Sequence, residues 1–212
     1  MDRKWPLPEP STFDSVRDLI DKYHPYKSMG STGHVWVCRD SNSQVVAAWI
    51  FQPPPYGSAK AVSPGEPQGA TSLSRMVAVP KSERNWHISK PLRWILKNGI
   101  DRGRYPVVVT YADVGEGHCG NVYKCAGMSR DGSRMSQKWI DASGSRRSVY
   151  SNGGTRKEGI QLAGRSEIIR FVHRVCDLGS EREHMESFGW KRVPMNKVWK
   201  SGNRRHRWVK EW

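Results

Sequence analysis

The stretch from Leu73 to Tyr111 limits most what this chain can fold into. An apolar run, Leu73 to Val79, is closed by Pro80, and a second, Val107 to Tyr111, carries no charge. Between them Ser89 opens a segment whose Leu92, Ile95 and Leu96 share one helical face, with Pro91 in the first turn and Gly99 as the stop. A strand, a capped helix and a buried strand in that order need a sheet with a helix packed on it.

The flanking segments extend that pattern. Phe13, Val16, Ile20 and Tyr23 stand near helical spacing behind a Ser11-x-x-Asp14 start, which predicts a helix over Ser11 to Tyr23. Val35 to Cys38 and Val45 to Phe51 flank the turn former Asp40-Ser41-Asn42-Ser43 and read as a β-hairpin. Residues 53–69, dense in Pro, Gly and Ser, read as a flexible surface loop. A short helix is expected over Gly120 to Cys125. Residues 129–164 read as a basic Ser/Gly/Arg-rich insertion, either mobile or forming short exposed strands. Ile168, Ile169, Val172, Val175 and Cys176 predict a helix over Ser166 to Leu178, and Ser180-x-x-Glu183 opens another that ends near Gly189. Trp190 to Val193, Val198 to Trp199 and Arg207 to Val209 read as closing strands. The expectation is one α+β domain over residues 1–212, a mixed central sheet flanked by helices, with a basic C-terminal elaboration.

At 212 residues such a domain buries roughly 70% of its extended-chain surface and needs no disulfide staples. No apolar run approaches the ~18 residues of a membrane helix, and Met1 to Pro10 lacks a signal-peptide core, so a soluble, unsecreted protein with no membrane partner is expected. Cys38, Cys119, Cys125 and Cys176 form no CxxC pair, which argues for free thiols over zinc or disulfides. The formal charge is +15, and it is uneven: Lys81 to Trp212 holds 27 basic and 13 acidic residues. A polyanionic partner follows.

Two places carry chemistry. The loop Lys81 to Ile88, ahead of the Ser89 helix, can present phosphates to a helix N-terminus or be a plain connection, since it holds Arg84, Asn85 and His87 but no glycine. After the strand that ends at Tyr111 come Asp113, His118 and Tyr123, spaced by Gly115, Gly117 and Gly120. Open sheets place their sites at such strand ends, but Asp113 can equally be a cap and Tyr123 half buried.

The order of elements resembles the GNAT acyltransferase fold, and Gly120 to Met128 (GNVYKCAGM) resembles its later helix, whose tyrosine protonates a departing CoA thiolate. Three stretches also resemble the Mom family of bacteriophage DNA-modification proteins: KYHPY (Lys22 to Tyr26), LSRMVAVP (Leu73 to Pro80) and TYADVGEGHCGNVYK (Thr110 to Lys124). Their order and spacing span about half the chain. The resemblance implies an enzyme in the host bacterial cytoplasm that converts adenine in double-stranded phage DNA to its N6-carbamoylmethyl form, shielding it from restriction nucleases. It implies His24, Arg75, Asp113 and Tyr123 as catalytic positions. Acetyl-CoA would lie along Ser74, Val77, Val79, Arg84, Asn85 and Ser89.

A single acyl transfer does not make an alkyl-linked amide. Fe(II) held by His24, Asp113 and His118 would be one solution, because two His and one carboxylate suit that metal. Two departures from the family pattern stand out. Arg84-x-x-His87-x-Ser89 replaces the Arg/Gln-x-x-Gly-x-Gly/Ala of ordinary GNAT loops, and Lys124-Cys125-Ala126-Gly127 follows Tyr123 where many relatives carry Asn-Trp. Trp86, Trp139, Trp199 and Trp208, set among basic residues, are candidates for stacking on bases or for the core. A small-amine or protein N-acyltransferase and a non-catalytic DNA-binding module are the competing classes.

Overall fold

The computed structural model describes residues 5–25, 32–101, 103–142 and 158–174, with 190–198 and 204–210 described as backbone strands. The elements run β1 Glu9–Ser11, α1 Arg17–Tyr23, β2 His34–Arg39, β3 Val45–Gln52, α2 Tyr56–Val62, β4 Ala70–Ala78, α3 Ser89–Asn98, β5 Val107–Asp113, α4 Asn121–Ala126, β6 Ser129–Ile140, β7 Gln161–Arg174, β8 Trp190–Val198 and β9 Arg204–Lys210. Seven strands form one mixed sheet in the order β1-β2-β3-β4-β5-β7-β6, while β8 and β9 pair with each other. Within the large sheet every neighbouring pair is antiparallel except β4 and β5. The chain adopts the α+β class expected from its sequence. Among the described residues no helix is long and apolar enough to cross a membrane.

Helices cover both faces. On one, Val16, Leu19 and Ile20 at the first helix pack on Val35, Val37, Ala48, Ile50 and Val77, and Ala59 and Val62 of α2 pack on Ala70, Val107, Val109 and Val172. On the other, Leu92, Ile95 and Leu96 of α3 and Ala126 of α4 pack on Trp49, Phe51, Leu73, Val108 and Phe171. Strand alternation sorts these two sets. The β2–β3 hairpin, β4, α3 and β5 stand where local pattern puts them.

Several expectations are corrected. Ser11 belongs to β1, and the first helix begins as a 3-10 turn at Asp14–Val16. Residues 53–69 contain α2: Pro55 stands at its N-cap with φ already fixed, and Ala59 and Val62 are buried three residues apart. Residues 129–140 form one long strand, β6. The helix expected over Ser166 to Leu178 is strand β7 as far as Arg174. It lies between β5 and β6 with helices on both sheet faces, so apolar side chains occupy both of its faces and blur the two-residue period. Its β-branched Ile168, Ile169 and Val172 suit the pleat. The helix expected over 180–189 and the strand residue Trp199 lie outside the described residues.

The pairing of β4 with β5 is short. Ala70, Thr71 and Ser72 pair with Val107, Val108 and Val109, and there the ladder ends. Just beyond it the buried Thr110 hydroxyl donates to the Leu73 carbonyl at 2.9 Å, so the first backbone acceptor past the ladder is satisfied by a side chain. A buried acceptor that loses its donor costs about 1–3 kcal/mol. Thr110→Val therefore lowers unfolding stability by about that amount, read as a lower urea midpoint with an unchanged slope.

Candidate active site

The parting of β4 and β5 makes a cleft. From Leu73 to Ala78, β4 pairs with β3 alone, so the backbone on its other side has no strand partner. A bulge sits at its start: Ile50 pairs with Arg75 but Phe51 with Leu73, which leaves Ser74 as the extra residue. The Ser74 hydroxyl bonds the Ile50 carbonyl at 3.1 Å and Gln52 Oε1 at 2.6 Å, holding the distortion. The bulge sets Arg75 and Val77 on the α1 side and Met76 on the α3 side.

Tyr123 reaches the point of parting from α4. Its ring leans on Phe171 at 5.4 Å between centroids, and Phe171 is the β7 partner of Thr110. Burial pushes the phenol above its ordinary value, against a smaller lowering by Thr110. The group is therefore protonated at neutral pH, as a general acid must be. Gly120 sets the approach of α4: its φ is +74°, and a Cβ there would stand 2.2 Å from the Phe171 ring.

Arg75 is half buried, and its Nη1 donates to the Ser74 carbonyl at 2.7 Å. Burial lowers its pKa from the usual guanidinium value. Asp113 is in phase with Val109 and Tyr111, so it lies on the α2 side of the sheet, opposite Tyr123. Its Oδ1 caps the following turn by accepting from Gly115 N–H at 3.0 Å. Lys138 Nζ stands 3.9 Å from Asp113 and 2.8 Å from Glu116. The capping alternative for Asp113 is thus realised, joined to an ion pair.

His24 follows α1, its N–H bonded to the Ile20 carbonyl, and His118 is exposed, its N–H bonded to the Asp113 carbonyl. Among the described residues no group of three His, Cys, Asp or Glu comes together to hold a metal ion. His24, Asp113 and His118 do not assemble as the ligand set for Fe(II), and no step below runs through a metal.

The loop before α3 is closed on itself. Arg84 Nε donates to the Val79 carbonyl at 3.1 Å, Nη1 donates to the Trp86 carbonyl, and the guanidinium lies 5.3 Å over the Trp86 ring. His87 caps α3, its Nδ1 at 2.6 Å from Ser89 Oγ and 3.3 Å from Ser89 N, while its carbonyl takes Lys90 N–H at 3.0 Å. Residue 91 is Pro and offers no N–H. Val77 is buried under α1, and Asn85 lines an open cleft of about 680 Å³ with Arg39, Ser82 and Trp86.

These residues fit an acyl-CoA at its thioester end. The unpaired edge of β4 can pair with the amides of an extended chain as an added strand does, and Tyr123 stands where the strands part. The phosphate end differs from a glycine cradle, because the first N–H groups of α3 are taken; the cations Lys81 and Lys90 flank it instead. Sequence reasoning did not single out Thr110 or Phe171, and it placed Phe171 on a helix.

No protein-family model matches the sequence, and no curated protein matches it. Solved structures do. An acetyltransferase from Bacillus subtilis, in complex with CoA, aligns over 81% of this chain and 99% of its own with a TM-score of 0.51 at 9% identity. A spermidine N-acetyltransferase variant from Vibrio cholerae aligns over 81% and 95% with a TM-score of 0.50 at 8% identity. The fold is that of the GNAT acetyltransferases.

Tyr123→Phe keeps the ring on Phe171 and removes only the hydroxyl. It is expected to lower kcat by about 100- to 10,000-fold with the melting temperature unchanged. Because burial raises the Tyr123 pKa, the wild-type rate shows no alkaline fall from this group below pH ~10; a fall near neutral pH in the pH–rate profile would exclude it as the acid.

Proposed function

We propose that the protein is an acyl-CoA-dependent N-acyltransferase of GNAT type whose acceptor amine is carried on duplex DNA, the exocyclic N6 amine of adenine. The observation that carries the transferase reading is the parting of β4 from β5 with Tyr123 at its apex. When bound, CoA supplies an activated acyl thioester. The open edge of β4 orients that ligand, the apolar α3 side excludes water, and the Tyr123 hydroxyl gives its proton to the leaving sulfur, the phenolate regaining one through solvent from the nitrogen that has been acylated.

The DNA reading rests on the charge of +15 and on the three stretches that resemble the Mom family, whose product is the N6-carbamoylmethyl base. Adenine N6 is a weak nucleophile, since its lone pair is delocalised into the ring, and in a duplex it is paired. The enzyme must therefore take the base out of the stack, which costs a few kcal/mol. Acyl transfer to a small amine is the second reading, favoured by the spermidine N-acetyltransferase among the structural matches. Arg134, Arg165 and Arg170 line the concavities on the outer strands, and a polyamine is repelled there.

Nucleoside mass spectrometry of plasmid DNA from cells expressing the protein, beside Tyr123→Phe, tests the proposal. Adenosine shifted by an acyl mass is expected only with the wild type. Unmodified DNA from folded wild-type protein, together with thiol release from acetyl-CoA in the presence of spermidine, would move the function to the small amine.

A further inference from the structure

Two concavities lie along β6 and β7, and Tyr123 lines neither of them. One, of about 150 Å³, is lined by Gly57, Ser58 and Ala61 of α2, Tyr111 of β5, Gly132, Ser133 and Arg134 of β6, and Ile168 and Arg170 of β7. The other, a groove of about 400 Å³, is lined by Arg134, Met135, Ser136, Gln137 and Arg165. Arg134 belongs to both.

We infer that these form a single nucleotide subsite, in which the smaller pocket takes a planar base turned out of a DNA duplex and the groove takes the phosphodiester attached to it. This rests on the DNA reading proposed above and assigns the place where the substrate base is held.

Shape and charge carry the assignment. Small residues from α2 and β6 keep a slot open beside the Tyr111 ring, and the Arg134 guanidinium stands 5.8 Å from that ring's centroid. An aromatic face with a guanidinium beside it is a surface on which a base stacks. Polar groups close one wall, where Arg170 Nε meets Asp131 Oδ2 at 2.9 Å and Arg170 Nη2 donates to the Asp131 carbonyl at 3.0 Å. The ion pair and the Nη2 bond set the orientation of Arg170, although its buried Nε–H makes no aligned hydrogen bond. Arg134 and Arg165 are exposed, as is Met135, at 63%. Arg134 comes to the groove from the α2 face, and Arg165, paired with Gln137 three positions along, comes to its rim from the other face of the ribbon; an exposed guanidinium such as Arg134 suits a phosphodiester, which accepts bidentate donors. Because Arg134 lines both concavities, a ring in the pocket and its own phosphate in the groove lie within one nucleotide of each other.

The strand geometry gives access. Beyond Ile168, β7 no longer pairs with β5, and Gln161–Glu167 runs on with Met135–Ile140 as a two-stranded ribbon. Seven residues at ~3.3 Å each make it about 23 Å long, and a two-stranded ribbon is an element that fits a DNA major groove. Trp139 lies on it, paired with Leu162.

The test uses the full-length protein and a DNA duplex with 2-aminopurine in place of one adenine. Base extrusion raises 2-aminopurine fluorescence several-fold with the wild type. Ala61→Met, which fills the slot, and Tyr111→Leu, which removes the aromatic wall, are expected to abolish that rise while changing duplex Kd less than about threefold. Arg134→Gln with Arg165→Gln is expected to weaken duplex binding and to reduce the slope of log Kd against log salt by about 1, for the one phosphodiester that is no longer neutralised. These two arginines are on the surface, so that variant stays informative if a pocket variant fails to fold. An unchanged fluorescence rise in the folded pocket variants, or an unchanged salt slope in the double variant, overturns the assignment. Wild-type protein that modifies adenine while both folded pocket variants modify it equally sinks the subsite alone. Wild-type protein that neither binds duplex nor modifies adenine sinks the DNA reading with it, and tight binding to a basic-residue-free acidic peptide but not to DNA would place a protein partner in the groove instead.

Discussion

The site depends on one break in regular structure: β4 and β5 pair for three residues and then part. A continued ladder would seal the sheet and leave no slot for an extended ligand. Parting leaves backbone groups beside the core without strand partners, each costing about 1–3 kcal/mol if buried and unmet. The chain meets part of that cost itself, through Thr110 at the Leu73 carbonyl and through Ser74 with Gln52 at the bulge. The rest of the β4 edge is a row of donors and acceptors suited to an amide-bearing chain. Tyr123 stands beside the same break, its ring resting on Phe171, the β7 partner of Thr110.

How legible each part was in the sequence follows from how local its cause is. Pro80, Ser89 and Gly99 punctuate β4, α3 and the approach to β5 within a few residues, and these elements stand where expected. The bulge at Ser74 carries no signature of its own, because it arises from the register with β3, some 24 residues away. β7 was read as a helix because it is covered on both faces, a property of the finished sheet. Phe171 could then not be seen as the floor under Tyr123 and Gly120, although the positive φ of Gly120 is the kind of demand a glycine between polar residues announces. Asp113-x-Gly115 did announce its cap. Its partner Lys138 comes from β6, within a segment whose composition reads either as a mobile basic insertion or as short exposed strands.

The loop before α3 shows a sequence departure with a structural consequence. Where a glycine would let a phosphate approach bare backbone, His87 folds its ring back onto Ser89 and holds the helix N-terminus itself. Arg84, the one cation inside the turn, is drawn into the loop by two carbonyls and the Trp86 ring. Anion binding at this end thus falls to side chains on the rim, whose reach is longer and whose attraction is more sensitive to salt than that of a fixed cradle.

Both ligands of the proposed reaction are polyanions, and the fold keeps them apart. Donor elements, the α3 loop and Tyr123, lie on one face of the sheet, whereas Tyr111, Arg134 and the nucleotide subsite lie on the other. Packed layers stand ~10 Å apart, and charges separated by more than the ~8 Å Debye length at physiological salt are largely screened when exposed. Two sets of phosphates on opposite faces therefore repel each other little, while their reactive ends meet only where the strands part. Many of the described cations are already committed to carboxylates, among them Arg39 to Glu9, Arg170 to Asp131 and Lys138 to Glu116. Sidedness lets the remaining positive charge serve each anion separately.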